Sequence, residues 1–264
     1  MRELDAPGGS LVPPTAEVRI IGLRRIPEVK PHDDLPGLII EAAQSAGITL
    51  AAGDIVVVTH KVVSKVENAL IDLRTVEPSD LARRFGEAWN KDPRYIEVVL
   101  RESARILRME RGLIISRTHH GLTCANAAVD ASNVSGGEIV ALLPRDPDAS
   151  AVALREEFRR RLGLDLAVII TDSFGRPWRN GITNVAIGVA GMSPLADYRG
   201  QPDDFGRTMS ASVLAVADEI AGAAELVSGK INRCPVMVVR GYDYPKGEGH
   251  AGDLIMPDGV DLFR

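Results

Sequence analysis

Short β-branched apolar runs, separated by segments with helical spacing, restrict the possible folds of this chain more than any other feature. The runs at 54–60 and 166–171 each hold at least four apolar residues in a row. Runs of this length and composition, bounded by polar or turn-forming residues, are typical of buried strands. The predicted strands are Val18–Leu23, Asp54–His60, Gly112–Arg117, Glu138–Leu143, Leu166–Thr171 and Pro235–Arg240.

Helical spacing in the intervening segments predicts helices between these strands. They are a stripe of Leu38, Ile39, Ala42 and Ala46, then Leu81–Trp89, Ile96–Leu107, Ala149–Leu162 and about Met209–Val227. Either Asp148 or Ser150 is expected to cap the fourth helix, and Gly229 to end the last one. Glycine-rich loops are expected at Phe174–Gly191 and Asp197–Arg207.

Alternating strands and helices indicate an α/β fold. Because the alternation is irregular, we expect a mixed α+β arrangement of irregular mixed sheets with flanking helices, not a plain doubly wound (Rossmann) fold. The length of 264 residues allows one large domain or two small ones. We expect a loose tail at 1–17 and one module at 18–264, with two closely associated subdomains as an alternative.

Composition excludes several classes of function. A net charge of −5 without a long run of one sign gives no support for a nucleic-acid partner. No apolar run approaches the roughly 18 residues of a membrane span, so no membrane association is expected. The two cysteines, Cys124 and Cys234, show no metal-ligand spacing and fit a reducing compartment. A cytoplasmic protein is therefore predicted.

The segment around Asp172 carries the clearest chemical signal. An apolar strand ends in Asp172 and Ser173 and is followed by Arg176 and Arg179. An acid and a hydroxyl at a strand's carboxyl end suit a hard cation that also touches phosphate. Arginine forks suit phosphate or carboxylate, so Arg176 and Arg179 are candidates for binding an anionic acceptor or acyl phosphate. The alternative is a turn capped by Asp172 and Ser173, with solvated arginines.

A second candidate acid, Asp130, lies among alanines between Asn126 and Asn133. A carboxylate in such surroundings needs backbone amides, a metal or a cationic partner. An Asx-turn at Asp130 or Asn133 is the simpler explanation of this stretch taken alone. Together with Asp172, however, Asp130 could hold a divalent ion that bridges phosphate oxygens.

His60, Lys61 and Lys65 follow the predicted strand at 54–60. A lysine at a strand exit is a candidate phosphate contact, although two surface lysines beside a turn would look the same. Neither a Walker-type GxxxxGK[ST] nor a GxGxxG motif occurs, so a P-loop is not indicated. His119 and His120 lack the spacing of a helical zinc site and are expected in a turn.

Five stretches, in this order, resemble the coenzyme F-420-0:L-glutamate ligase family over about Ile20 to Arg264. They are 63–65, 130–134, 170–176 with Gly181, 217–221 and 238–241. The resemblance implies an interwoven, homodimeric ligase fold. It also implies the ligase module alone, without the nitroreductase-like extension that some relatives carry after a sequence like Asp261–Arg264.

The same resemblance implies roles for individual residues. Asp130 and Asp172 would ligate one divalent metal, and Ser173 would contribute to a second. The implied nucleotide contacts are Leu23, Arg24, Arg25, Ile26, His60, Lys61, Lys65, Asn133, Ser228 and Gly229. One departure concerns Lys230, because some relatives carry an acid or amide near this position and an ammonium cannot ligate a cation.

The implied reaction joins L-glutamate to the phospholactyl carboxylate of coenzyme F-420-0 through an acyl phosphate, followed by further γ-linked glutamates. Its co-substrate would be GTP, and its cofactors Mg²⁺ or Mn²⁺ at two sites, with K⁺ as a further candidate. Two other interpretations remain open at this point. One is a metal-dependent nucleotide phosphohydrolase, and the other is a non-catalytic deazaflavin- or nucleotide-binding module.

Overall fold

The structure is a computed structural model, and it describes residues 17–132 and 137–261. Within these residues there are twelve strands and six α-helices. The strands are β1 Arg19–Leu23, β2 Ile55–Thr59, β3 Leu70–Asp72, β4 Ser103–Glu110, β5 Leu113–Thr118, β6 Thr123–Ala125, β7 Ile139–Ala141, β8 Ala167–Arg176, β9 Arg179–Ala190, β10 Ala196–Asp197, β11 Val213–Leu214 and β12 Val236–Arg240. The α-helices are α1 Leu35–Ser45, α2 His60–Val66, α3 Asp80–Trp89, α4 Pro93–Arg101, α5 Pro147–Leu162 and α6 Val216–Ser228.

A five-stranded sheet in the order β1-β12-β2-β8-β9 forms the centre of the fold. Strands β2 and β8 are parallel, and the other neighbouring pairs are antiparallel. Alternate residues of β2 point into different cores: Val56 and Val58 into one, Ile55 and Val57 into the other. Burial on both faces explains why these strands are continuously apolar.

Helices cover both faces of the central sheet. Helices α1 and α5 supply Ile39 and Phe158 to the first core, and α6 supplies Ala217 and Ala224 to the second. Complete burial of a side chain such as Phe158 stabilises the fold by roughly 1.5–3 kcal/mol relative to exposure. The central sheet is therefore held rigidly between two helical layers.

A separate core lies beside this sandwich. Helices α3 and α4 pack on the three-stranded sheet β4-β5-β6, with Phe85, Ile96 and Ile114 among the buried side chains. Val129 also belongs to this core, so the residue next to Asp130 is anchored by packing. None of the described helices is long and apolar enough to cross a membrane.

The register of the central sheet brings several chain segments to one edge. Thr59 at the end of β2 is paired with Thr171 in β8, so the following residues, His60 and Asp172, are neighbours. Leu23 at the end of β1 is paired with Val236 at the start of β12. The ends of β1 and β2, the segment before β12 and the middle of β8 therefore meet.

The expected mixed α/β architecture of several small sheets with flanking helices is confirmed, and the described residues form no P-loop. Each predicted strand occurs, with shifts at its ends. The predicted tail lies almost wholly outside the described residues. Residues His119 and His120 lie in a turn, as expected.

Two predicted helices were too long. Helix α4 ends at Arg101, and residues 103–110 form strand β4 because they pair with β5 across a turn at Arg111 and Gly112, both with positive φ. Helix α6 begins at Val216 instead of near Met209, since residues 213–214 pair with β10. In both cases pairing with a distant strand overrides helical spacing.

Two further expectations were wrong. The predicted loop at Phe174–Gly191 is instead a long hairpin, in which β8 continues to Arg176 and β9 begins at Arg179. Helix α5 is capped by Asp146, whose side chain accepts a hydrogen bond from the Ala149 amide. Asp148, one of the two predicted caps, accepts instead from the amides of Val189 and Ala251, so it links α5 to the rest of the fold.

Candidate functional site

A cavity of about 580 Å³ opens at the edge where these segments meet. Its volume lies in the usual range for small-molecule sites. Ile26 contributes from the segment after β1, and Lys230 from the segment after α6. Six residues predicted for the site line it from the ends of β2 and β8 and from the loop after β6: His60, Lys61, Lys65, Asp130, Asp172 and Ser173.

The floor of the cavity holds buried polar groups that lack hydrogen-bond partners. His60 Nδ1 is 3.3 Å from Ser64 Oγ, and His60 Nε2 is 3.2 Å from Asp172 Oδ1. The contact with Asp172 is as short as an ion pair but lacks the geometry of a hydrogen bond. Within the described residues, His60 Nε2 therefore has no hydrogen-bond partner, and neither has Thr171 Oγ1. Because unpaired buried polar groups are costly, their position here indicates a ligand site.

Asp130 is held by a lysine and by its own turn. Lys61 Nζ is 2.6 Å from Asp130 Oδ2, and the Ser132 amide donates to Asp130 Oδ1 at 2.6 Å, so the Asx-turn is also present. Burial raises the pKa of Asp130, but the hydrogen bonds from Lys61 and Ser132 outweigh burial and hold the pKa below its usual value. Asp130 is therefore an anion beside a cation at the cavity wall.

Lys65 is nearly buried in the wall of the same cavity and forms an ion pair with Glu28. Glu28 is largely exposed, so water screens the Glu28 carboxylate more than the Lys65 ammonium. A buried ammonium at a ligand site is strongly attracted to anions because the low local dielectric weakens screening. Both lysines of this segment thus belong to the cavity and are not surface lysines.

Ser173 belongs to a network that the sequence did not reveal. Its hydroxyl donates to Asn184 Oδ1 at 2.6 Å and accepts a hydrogen bond from Lys230 Nζ. Lys230 also forms an ion pair with Glu225, at 2.6 Å between Nζ and Oε1. Glu225 has apolar residues on both sides in α6, a sequence signal like the one that singled out Asp130. Asn184 faces Ser173 only through the β8–β9 pairing.

The two cysteines are not activated nucleophiles. Both thiols are buried. Burial raises the pKa of Cys124 to about 12, with a contribution from the negative charge of Asp172. Burial likewise raises the pKa of Cys234, which lines the cavity. Covalent catalysis by a thiolate is therefore disfavoured at this site.

The carboxylates fit a divalent cation that is shared with a ligand. Asp130 and Asp172 line the same cavity, next to the unpartnered Thr171 hydroxyl. In the described ranges, no three histidine, cysteine or acidic side chains lie close enough together to hold a metal. Mg²⁺, however, is usually bound by one or two carboxylates together with substrate phosphates and water.

Some residues predicted for the site do not reach the cavity. Ser228 and Gly229 line it, whereas Leu23 is buried in the core and Arg24 and Arg25 are exposed elsewhere. Arg176 and Arg179 lie exposed at the turn of the β8–β9 hairpin, where Arg176 donates to the Asn180 carbonyl at 2.9 Å. Asn133 lies outside the described residues.

A cavity at the end of a mixed sheet that is lined by three carboxylates, a histidine, three lysines and an arginine is typical of an enzyme for charged substrates. The sequence profile described as F420-0:gamma-glutamyl ligase matches residues 23–241, most of the chain. The chain therefore belongs to the F420-0:gamma-glutamyl ligase family and is a ligase that forms C–N bonds.

Three curated relatives match between 80% and 95% of this chain. A protein of Methanothermobacter thermautotrophicus named coenzyme F420:L-glutamate ligase is 41% identical over 250 residues, 94% of this chain and 99% of the relative. A protein of the same name from Methanopyrus kandleri is 42% identical over 256 residues, 95% and 98% of the two chains. The Methanocaldococcus jannaschii protein of that name is 40% identical over 213 residues, 80% and 85%.

Proposed function

We propose that this chain is a GTP-dependent ligase that adds L-glutamate to the phospholactyl carboxylate of coenzyme F420-0 and then adds further γ-linked glutamates. Family membership and the names of the relatives support the substrates. The observation that carries the proposal is the single cavity in which both predicted metal-binding acids and the predicted phosphate-binding lysines meet. The predicted site residues come from several separate segments of the chain, so their meeting in one cavity is poorly explained by chance.

The proposed chemistry has two steps. A carboxylate oxygen of the deazaflavin attacks the γ-phosphorus of GTP, which forms an acyl phosphate and releases GDP. The amine of glutamate then attacks the acyl carbon, phosphate leaves, and the nitrogen loses a proton as the amide forms. A bound divalent metal, Mg²⁺ or Mn²⁺, would offset phosphate charge, and Asp130 and Asp172 would hold it.

The lysines of the cavity would act on the phosphates as point charges. Lys65 already lies nearly buried in the cavity wall, so it needs little reorganisation to face an anion. Lys61 is paired with Asp130, and a metal ion at Asp130 would compete with its ammonium for the same carboxylate. Metal binding would thus free the Lys61 ammonium to contact phosphate, and this would couple the binding of the metal ion to the binding of the nucleotide.

His60 would position Asp172. Its ring is buried and lies between the Ser64 hydroxyl and the Asp172 carboxylate. A small shift of the ring into hydrogen-bond geometry would let His60 orient Asp172, in the manner of outer groups that orient metal ligands. Arg176 and Arg179 remain proposed contacts for an acceptor or acyl phosphate that reaches over the hairpin turn.

A cytoplasmic homodimer completes the proposal. The exposed large apolar side chains include Ile231 in the cavity wall, at 91%, and Trp178 at the turn of the β8–β9 hairpin, at 81%. A dimer would cover these side chains, because contiguous exposed apolar patches mark protein interfaces. Light scattering coupled to size-exclusion chromatography tests this part, and a single-chain mass would overturn it.

The decisive experiment is mass spectrometry of the deazaflavin after incubation with the protein, GTP, Mg²⁺ or Mn²⁺, K⁺ and L-glutamate. A ladder of glutamyl additions is expected, and it must disappear when glutamate or GTP is omitted. GTP consumption that is independent of glutamate would identify a phosphohydrolase instead. Tight nucleotide or deazaflavin binding without turnover would identify a non-catalytic binding module.

A further inference from the structure

The hydrogen bonds around Ser173 determine where its proton and lone pairs point. A lysine ammonium can only donate, so the Ser173 oxygen accepts from Lys230. The serine proton is then directed to Asn184 Oδ1, at 2.6 Å. One of the two lone pairs of the Ser173 oxygen is therefore already used by a cation from this chain.

Glu225 holds Lys230 in this position. One carboxylate oxygen of Glu225 lies 2.6 Å from Lys230 Nζ, and the other accepts a hydrogen bond from the backbone amide of Asn184 at 2.8 Å. The Glu225 side chain is only 18% exposed and is anchored on α6, whereas Lys230 is 53% exposed. The ammonium thus has two oxygen partners, a hydroxyl and a carboxylate, in the pattern in which a metal ion takes oxygen ligands.

We propose that the Lys230 ammonium is a resident cation, meaning a positive charge of the chain itself that occupies the second cation position beside Ser173. The chain then binds one divalent ion, at Asp130 and Asp172, and not two. This inference rests on the proposed function for the first ion and for the nucleotide. A second divalent ion next to the ammonium would be repelled by its positive charge, so the two cations would compete for the Ser173 hydroxyl.

The resident cation also has a role toward the nucleotide. Lys230 lines the same cavity as Lys61 and Lys65, so its charge faces the space proposed for the phosphates. A lysine supplies one positive charge permanently, whereas a second metal ion would have to be recruited from solution. The chain's dependence on metal concentration is therefore expected to follow a single site.

The test is a count of bound Mn²⁺ per chain, measured by equilibrium dialysis and electron paramagnetic resonance with saturating GDP. We expect one ion in the natural protein and two in Lys230→Gln, which replaces the ammonium with an amide oxygen. The double variant Lys230→Gln with Ser173→Ala should return to one. Lys91→Gln, the same change at an exposed position outside the cavity, should stay at one.

Two ions in the natural protein, or one in Lys230→Gln, would overturn the resident cation. Because Lys230 is half-exposed, its replacement should leave the unfolding temperature unchanged, and this is measured alongside. Absence of Mn²⁺ binding from every variant would overturn both this inference and the metal site of the proposed function. If the natural protein binds one ion and Lys230→Gln binds two, but the deazaflavin is not glutamylated, the proposed reaction is overturned and the resident cation is supported.

Discussion

Two aspartates at opposite ends of the central sheet have very different surroundings. Asp54, directly before β2, is 1% exposed and bound on both oxygens by Arg240, at 2.7 and 2.6 Å. It also accepts from the Ala51 amide at 2.9 Å. Asp172 in β8 is 13% exposed, accepts a hydrogen bond on Oδ1 from the backbone amide of the next residue at 2.7 Å, and has His60 Nε2 at 3.2 Å without hydrogen-bond geometry.

The difference separates a structural acid from a functional one. Asp54 is buried and uses three of its roughly four acceptor positions within its own fold, so it is not accessible to a ligand. The other end of the sheet has unused hydrogen-bonding capacity that faces a cavity. It belongs to Asp172, the His60 ring and the Thr171 hydroxyl. Unsatisfied polar capacity, more than the presence of an acid, therefore distinguishes the site.

The largest expected effect is the loss of activity in Asp172→Asn. An amide keeps the shape of the side chain but removes the charge that would hold the metal. Such metals supply several kcal/mol of transition-state stabilisation, so glutamylation should fall at least about 1000-fold. Turnover is measured by mass spectrometry and the unfolding midpoint by circular dichroism. Turnover close to that of the natural protein would remove Asp172 from the site.

Arg240→Met tests the opposite end of the sheet. It leaves the buried carboxylate of Asp54 without its cation, which should lower the free energy of unfolding by about 3 kcal/mol. Turnover per folded molecule should be unchanged, because the cavity lies at the other end. Urea denaturation measures the change.

Arg159→Met is the matched control for this change. Arg159 pairs with Asp165 where both side chains are about half exposed, and such pairs contribute at most about 1 kcal/mol. If the two arginine variants lose the same stability, the Asp54 pair has no special structural role.

A smaller effect is expected from Lys65→Met. Loss of one charge-assisted contact with phosphate should weaken GTP or GDP binding about tenfold. The variant should fold normally, since its partner Glu28 is largely exposed. Isothermal titration calorimetry gives the dissociation constant, with Lys30→Met, exposed and outside the cavity, as the control. An unchanged constant would place Lys65 outside the nucleotide site.

The smallest effect concerns Tyr95, which supports the loop that carries Asp130. Its hydroxyl donates to the Val129 carbonyl at 2.8 Å. Burial, with a contribution from the negative charge of Asp130, raises the pKa of Tyr95 to about 12. Since the pKa in the unfolded chain is about 10, the stabilisation is complete below pH 10 and is lost as pH rises toward 12.

This predicts a pH dependence that Tyr95→Phe should remove. Between pH 9 and pH 11 the urea midpoint of the natural protein should fall more than that of the variant. At pH 9 the variant should be less stable by about 1 kcal/mol, the usual contribution of one hydrogen bond. Parallel curves for the two proteins would show that the Tyr95 hydroxyl is not held as described.

Much of the candidate site could be predicted from local sequence. Acids, a hydroxyl and lysines next to strand ends indicated Asp130, Asp172, Ser173, Lys61 and Lys65, and the structure brings these five together. Glu225 gave a signal like that of Asp130, an acid with apolar residues on both sides, and could have been found by the same reasoning. Asn184 could not, because only the register of the hairpin places it opposite Ser173.

Predictions that required knowledge of distant partners were less accurate. Residues 103–107 have helical spacing but form a strand with β5, and the segment 174–190 has loop-like glycines but forms a hairpin. Arg176 and Arg179 lie exposed at the turn of that hairpin, and their role as contacts for an anionic substrate stays a prediction. The sequence pattern of a strand does not show how far the strand extends past the end of the strand beside it in the sheet.

The sequence by itself determined the buried strands, most of the helices, the acids and lysines of the site, and the family. The strands and helices follow from local physical preferences, because apolar runs form buried strands and short polar residues end them. The family follows from the resemblance of five short stretches of sequence. Only the tertiary structure decided that Thr59 lies level with Thr171, that Lys230 lies on Ser173, and that Asp54 is closed while Asp172 is open. Register and side-chain pairing depend on residues far apart in the chain, and no local pattern contains that information.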